Sequence, residues 1–469
     1  MTAYQRALRE RQCVDFDDLV GLTVKTLASK SKVAAACRKR YRWISVDEFQ
    51  DVDEQQYRLL TLLAPPATGD TNADGDTAPR SDARANLCVI GDPNQAIYGF
   101  RGADASCFER FNQDYADAPC VRLTRNYRST GTIVAASSQV ISMSRERPVA
   151  DIVRDMYERI TIHVAPSDRA EAELVVRTIE ELMGGHDLFT LDAGRFSLYT
   201  VSGRSDQNQS GMPEPAAALG FGDFAVLYRT DTQSVALREA FARSGIPFGK
   251  HSHDLLADQP VARALLDIWR DTCDQASADA SESEEQPATA LDDSLRAAAA
   301  VLAAAPATSE GKAADIAARE LALQQLLRVA AECGGDRARF EDALTLTTEA
   351  DFWDPRADRV SLLTMHAAKG LEFPVVFIIG LEDGIIPLYW SVLDDATRAE
   401  ERRLFYVGMT RAQDRLFLTR AQQRLWRGRV RELPASAFLD DIEQELVKHQ
   451  EMTVPAPRAK VEDRQLKLL

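Results

Sequence analysis

Short apolar runs rich in branched side chains recur along this chain, each ending in polar or charged residues, and most precede a stretch with helical spacing. Trp43 to Val46, Leu87 to Ile90, Val121 to Leu123, Ile160 to Val164, Asp223 to Tyr228, Arg359 to Leu363, Pro374 to Gly380 and Arg415 to Thr419 are such runs. Alternation of strand and helix points to a parallel α/β sheet with helices on its faces. Strands of such a sheet are buried, and ligands bind at their carboxyl ends. The sharpest case is Arg42 to Asp51, where Trp43, Ile44 and Val46 read as a buried strand that delivers Asp47 and Glu48 to that edge, with Gln50 and Asp51 beyond.

Helical spacing is expected over the first forty residues, through Leu8, Phe16, Leu19, Val20, Leu22 and Leu27. Further helices are expected over Val52 to Leu63, Gly131 to about Ser142, Asp168 to Met183 and Ser234 to Ser244, with another containing Glu400 to Val407. Three segments break the pattern. Pro65 to Asn86 is rich in Ala, Asp, Thr, Gly and Pro and reads as a surface insertion without order of its own. Gly184 to Gly222 is polar and glycine-bearing, and from about Leu255 the spacing is helical only, with an acidic run near Ala276 to Gln286. The end of the chain, from about Gln444, is charged and reads as frayed.

Composition bounds the partners. A net charge of -16 and a pI near 5.0 argue against coating nucleic acid by bulk attraction, but they permit a narrow groove lined with a few arginines and aromatics. The cysteines at 13, 37, 88, 107, 120, 273 and 333 form no metal-binding spacing, and an odd, scattered set argues for reduced thiols in a cytosol. No stretch approaches the ~20 apolar residues that span a bilayer, so no membrane partner is expected.

Several polar clusters stand at strand ends. Asp47 is suited to hold Mg²⁺, directly or through water, and Glu48 to polarise the water that attacks a phosphate. A helix cap plus first-turn acids explains the same pair equally well. Gly91 to Ala103 follows the second run; Gln95 suits a phosphate contact, while Tyr98 and Phe100 offer stacking faces beside Arg101. Core packing for the aromatics and turns for the glycines is the plain alternative. Tyr127 and Arg128 pair an aromatic with a phosphate-binding cation, although an isolated arginine more often meets a surface acid. Thr364, His366, Lys369 and Glu372 share a stretch that follows a strand. Arg411 lies just past Gly408 at the far end of a helix, where a guanidinium could reach across a cleft to a γ-phosphate.

In this order the clusters resemble motifs of the UvrD, Rep and PcrA group of superfamily-1 DNA helicases. Asp47 to Asp51 looks like the family's second motif, Gly91 to Ala103 its third, Asn126 to Ser129 its fourth, Thr364 to Phe373 its fifth and Tyr406 to Ala412 its sixth. The resemblance implies an α/β fold of two RecA-like, P-loop NTPase-type domains. Residues 1–121 would form an incomplete first domain, interrupted at about 65–86. Residues 122–254 and 356–443 would form the second, with a helical insertion at 255–355 and a charged tail at 444–469.

It also implies ATP with Mg²⁺ between the domains and 3′ to 5′ movement along single-stranded DNA. Asp47 would serve Mg²⁺, Glu48 would activate water, and Gln95 would couple phosphate to DNA. Tyr98, Phe100 and the neighbouring Arg101 would meet DNA. Tyr127 would cover the adenine, Arg128 and Arg411 would clamp the γ-phosphate, and Glu372 would hold the ribose or a nearby part of the nucleotide. Thr364, His366 and Arg229 would touch the strand; Asp231 stands where relatives usually carry asparagine, and a phosphate contact there is not expected.

One part is missing: the sequence contains no G-x-x-x-x-G-K-S/T phosphate loop. Three readings stay open at this point. The chain is an N-terminally truncated helicase of junction and single-stranded DNA; or it binds DNA or a repair protein without hydrolysing ATP; or a separate chain supplies the loop.

Overall fold

The chain opens with three helices, α1 (Ala3–Glu10), α2 (Phe16–Ser29) and α3 (Ser31–Arg40), and the Asp15 carboxylate, accepting from the Asp18 amide at 2.8 Å, caps the start of α2. The computed structural model describes residues 3–66, 86–99, 102, 106–143, 151–154, 158–184, 219–251, 255–279, 289–304, 312–352, 357–389, 394–426 and 428–451. Phe100 and Arg101, and most of the two segments expected at 65–86 and 184–222, lie outside them. The chain forms two compact units. The first comprises Met1–Tyr157, Ile386–Thr410 and Ala437–Leu446, and the second Glu158–Ile385, Arg411–Ser436 and Val447–Leu469.

In the first unit, β1 (Trp43–Val46) pairs in parallel with β2 (Asn86–Val89), Trp43 opposite Asn86 and Val46 opposite Val89. Between them runs α4 (Glu54–Leu63), whose start is fixed two residues later than expected by a capping box between Asp53 and Gln56. α5 (Cys107–Asp114) completes a small core in which Phe49, Tyr57 and Phe111 pack against Val46, Leu87 and Val89. Only that face of the pair is covered. Trp43 is 81% exposed, so the expectation of a buried strand fails there: the sheet has two strands among the described residues and one packed face.

The expected strand at Val121 to Leu123 is likewise absent. Val121 and Leu123 are 80% and 90% exposed, and pairing is confined to β3 (Arg125–Asn126) with β4 (Asp151–Ile152). α6 (Gly131–Ser142) has the expected bounds.

The second unit is built on a sheet buried on both faces. Along the chain come β5 (Ile160–Ser167), α7 (Asp168–Leu182), β6 (Phe224–Tyr228), α8 (Ser234–Ser244) and β7 (Phe248–His251). The helices α9 (Pro260–Asp279), α10 (Thr289–Ala304), α11 (Lys312–Glu332) and α12 (Arg337–Leu344) follow, around a core of their own that includes Leu265, Trp269, Leu326 and Phe340. The sheet resumes with β8 (Val360–Thr364) and β9 (Phe373–Ile378).

The chain then passes back to the first unit for α13 (Asp395–Met409), which packs there with α6, before β10 (Ala412–Trp426), β11 (Arg429–Glu432) and β12 (Val447–Glu451) complete the second. Strand order is β12-β5-β10-β9-β6-β8-β7, all parallel, with β11 antiparallel to the extended end of β10. The expectation of a frayed end from Gln444 therefore gives way over 447–451, where β12 pairs with β5.

β6, buried at every position, reads as the apolar run a parallel sheet requires. Beside the sheet a buried ion cluster joins α7 to β10: Arg424 (4% exposed) bonds Glu171 and, at 2.7 and 2.9 Å, Glu382. The Glu171 carboxylate also accepts from the Gly380 amide at 3.0 Å. Burial pushes the Glu382 carboxyl up while Arg424 opposes it; burial also acts to lower the guanidinium, but the two carboxylates together outweigh it and raise that group. None of the described helices is long and apolar enough to cross a membrane, and none of the seven cysteines forms a disulfide.

Candidate functional site

The parallel pairing of β1 with β2 brings two polar loops side by side in the first unit. After Val46 the chain must turn Phe49 into the core, where it is fully buried, while leaving Asp47 and Glu48 in solvent. Glu48 makes that turn in the left-handed region, φ 50° and ψ 43°, a conformation uncommon outside glycine. Its amide donates to Asp47 Oδ1 at 2.9 Å.

Gln50 ties the loops together. It is 1% exposed; its Nε2 donates to the Glu48 carboxylate, and its Oε1 accepts from the Asp92 amide at 3.0 Å. Gly91 makes room for this bridge, because a Cβ there would lie 2.2 Å from Gln50 Oε1. Asp92 in turn accepts from Gln95 Nε2 at 3.1 Å and from the Asn94 amide at 2.9 Å. Asp47, Glu48 and Gln95 thus stand on one hydrogen-bonded frame, with Tyr98 three residues on. Sequence reasoning gave Gln50 and Asp92 no role, since a single glutamine or aspartate carries no periodic signal.

This frame suits Mg²⁺ as that ion is usually held, by one or two carboxylates together with water and phosphate oxygens. Among the described residues no three His, Cys, Asp or Glu side chains converge as a closed metal cage.

Also in the first unit, Asn126 Oδ1 accepts from the amides of Arg128 and Ser129, both at 3.0 Å, and shapes the turn after β3. Tyr127 is left 64% exposed, its ring 5.7 Å from the Arg125 guanidinium, which pairs with Asp151 at 2.8 Å. An open aromatic face beside cations is available for stacking.

In the second unit the residues from Thr364 to Glu372 part company. Thr364 ends β8 opposite Tyr228 of β6, and the Met365 amide donates to the Tyr228 carbonyl at 2.9 Å, so Arg229, Thr364 and His366 gather at the carboxyl edge. Arg229 is steadied by its amide donating to Gln233 Oε1 at 3.0 Å. Asp231 forms an ion pair with Lys250 at 2.9 Å.

β9 runs parallel to β8 through their common neighbour β6, so the chain returns to the other edge before it starts, and Glu372 stands at the amino end of β9. There Glu372 Oε1 accepts from Gln413 Nε2 at 3.0 Å, and Arg411 Nη1 donates to the Leu371 carbonyl at 3.1 Å. Arg411 is 2% exposed, in contrast to the solvent-reaching arginine its sequence position suggests. A cavity of about 350 Å³ at this edge is lined by Asp223, Arg359, Ser361 and Glu372, among others.

A further feature went unread in the sequence. The β10–β11 hairpin projects beyond the parallel sheet with Arg429 and Arg431 exposed and with the facing pair Leu425 and Val430 61% and 67% exposed. Its signal was the arginine-rich, tryptophan-bearing run Arg424 to Arg431 in an otherwise acidic chain.

Comparison with known proteins bears on these residues. Residues 1–116 match the profile of the UvrD/REP helicase N-terminal domain, and residues 121–266 and 263–423 match that of the UvrD-like helicase C-terminal domain. The ATP-dependent DNA helicase UvrD1 of Mycobacterium tuberculosis is 31% identical, over 97% of this chain and 64% of its own length. The ATP-dependent DNA helicase PcrA of Leuconostoc citreum is 29% identical, over 95% of this chain and 63% of its own, and that of Bacillus subtilis 28% identical, over 95% and 64%. The chain therefore spans a little under two thirds of the length of these relatives.

Proposed function

The chain belongs to the UvrD/REP helicase family, and from that membership we propose that it takes part in ATP-dependent unwinding of DNA, moving 3′ to 5′ along a single strand. What supports this reading is the Gln50 bridge, which ties Glu48 to Asp92 and, through Asp92, to Gln95 in one hydrogen-bonded frame.

Glu48 takes a proton from the attacking water, its carboxylate oriented by Gln50. Asp47 would hold Mg²⁺, and the ion would supply positive charge against the phosphates. Gln95, held by Asp92, contacts the γ-phosphate, and Arg128 and Arg411 bind its remaining charge. Tyr127 stacks on the adenine and Glu372 accepts from the ribose. Tyr98, with Phe100 and Arg101, meets DNA bases, while Arg229, Thr364 and His366 hold the strand and the arginines of the β10–β11 hairpin contact backbone phosphates. In this reading the domain boundaries are those of two RecA-like halves, 1–121 and 122–443, the second carrying the helical insertion at 255–355.

A second reading is favoured by one observation, the lack of a G-x-x-x-x-G-K-S/T loop in these residues. Here the chain binds single-stranded DNA, or a repair protein, without turnover, or it acts with a separate chain that brings the loop. ATP hydrolysis by the chain, with and without single-stranded DNA, separates the two. DNA-stimulated turnover abolished by Glu48→Gln supports the enzyme; salt-dependent DNA binding without turnover supports the second reading and rejects hydrolysis by this chain alone.

A further inference from the structure

α13 grips the loop after β2 at two points one helical turn apart. Arg403 Nε donates to the Ala96 carbonyl at 2.7 Å, and the Glu400 carboxylate lies against Gly99, where a Cβ would come within 3.1 Å of Oε1. Residues spaced i and i+3 share a helix face, so both contacts are made by one side of α13. Arg403 is half-buried; desolvation pulls its guanidinium below the ordinary arginine value while the charge of Glu400 opposes the shift.

Packing alone would have been served by an apolar side chain at lower desolvation cost. A charge-assisted bond adds direction, fixing where the Ala96 carbonyl points. Ala96 directly follows Gln95, and Tyr98 lies between the two grip points.

We infer that Glu400 and Arg403 are positioning residues, which clamp the backbone of residues 96–99 so that Gln95 and Tyr98 are presented together. The roles of those two side chains rest on the function proposed above; the clamp itself does not. Because α13 runs on through Thr410 into Arg411, the same helix that holds the loop also leads into the arginine proposed for the γ-phosphate.

The test uses the full chain and two readouts. Hydrogen exchange of the amides of residues 94–99 reads the clamp: Arg403→Gln speeds it by about tenfold or more while amides of α13 and the unfolding midpoint stay as in the parent, and Arg403→Lys restores part of the protection. Glu400→Ala provides the same readout should Arg403→Gln not fold.

Binding of a fluorescein-labelled oligo(dT), followed by anisotropy at fixed salt, reads the consequence. Arg403→Gln weakens it about tenfold, the loss of one well-set base stack, and adding Tyr98→Ala to that variant changes nothing more. Unchanged exchange at 94–99 in both Arg403→Gln and Glu400→Ala overturns the clamp, and strictly additive losses overturn the positioning of Tyr98. If the parent chain binds no oligo(dT), the proposed DNA function fails, while the exchange result still decides the clamp.

Discussion

Gly91→Ala probes the frame that joins the two loops. A Cβ at this position would stand 2.2 Å from Gln50 Oε1, 3.0 Å from the Phe49 amide nitrogen and 3.1 Å from Phe108 Cζ. The Phe49 amide is fixed, since it donates to the Ile90 carbonyl at 2.9 Å, so the Gln50 side chain is the part that must move. Moving it breaks the bond from the Asp92 amide and releases the Glu48 carboxylate. Two hydrogen bonds at about 1 kcal/mol each, plus the desolvation of a buried amide left unpaired, give a loss of about 2–4 kcal/mol. Gly21→Ala in α2 is the counterpart: nothing lies within 4 Å of its Cβ, and the gain in helix propensity is about 0.5–1 kcal/mol. Urea unfolding monitored by hydrogen exchange of residues 42–66 and 86–99 measures both. A Gly91→Ala protein within about 0.5 kcal/mol of the parent, with unchanged exchange at Glu48 and Asp92, would refute the bridge as the element that orders the site.

Arg424→Met leaves Glu171 and Glu382 facing each other, 1% and 0% exposed, and is expected to cost roughly 3–5 kcal/mol in thermal or urea unfolding; adding Glu382→Gln recovers part of it. His163, 7% exposed on β5, is held down to about 4 from an ordinary 6.5, first by burial and then by Lys448. The unfolded chain therefore binds the proton more readily, so stability is whole above pH 6.5 and falls as the pH is lowered toward 4, by about 3 kcal/mol in total. Replacing His163 with Phe should flatten that part of the pH–stability curve, and an unchanged slope would count against a buried neutral imidazole.

What could be read from sequence followed from burial. β5, β6 and β8 are long apolar runs because both their faces are covered, and Ser234–Ser244 has its expected bounds because a polar stretch precedes it and Gly245, at φ 75°, ends it. The first unit misled where that symmetry is broken: Trp43 and Leu123 carry strand-like side chains yet lie in solvent. The stretch Thr364 to Glu372 looked like one cluster because sequence shows only that it follows a strand. Its division between the two edges depends on β9 being parallel to β8, a property of sheet order. The Gln50 bridge and the Glu171–Glu382–Arg424 cluster join residues 42 and 253 positions apart, separations that no local pattern encodes.

The helical insertion enters and leaves through one clasp. Leu255 forms an antiparallel bridge with Thr348, the Leu256 amide donates to the Thr347 carbonyl at 2.8 Å, and just outside lie β7 and β8, already paired from Phe248 and Val360. Because the clasp brings the ends of the insertion together and its helices bury their own core, the sheet sees it as a short closed loop, whose closure entropy grows only slowly with length. A change in the helices beyond the clasp thus leaves the pairing of β7 with β8 untouched, because those two strands are already joined outside it.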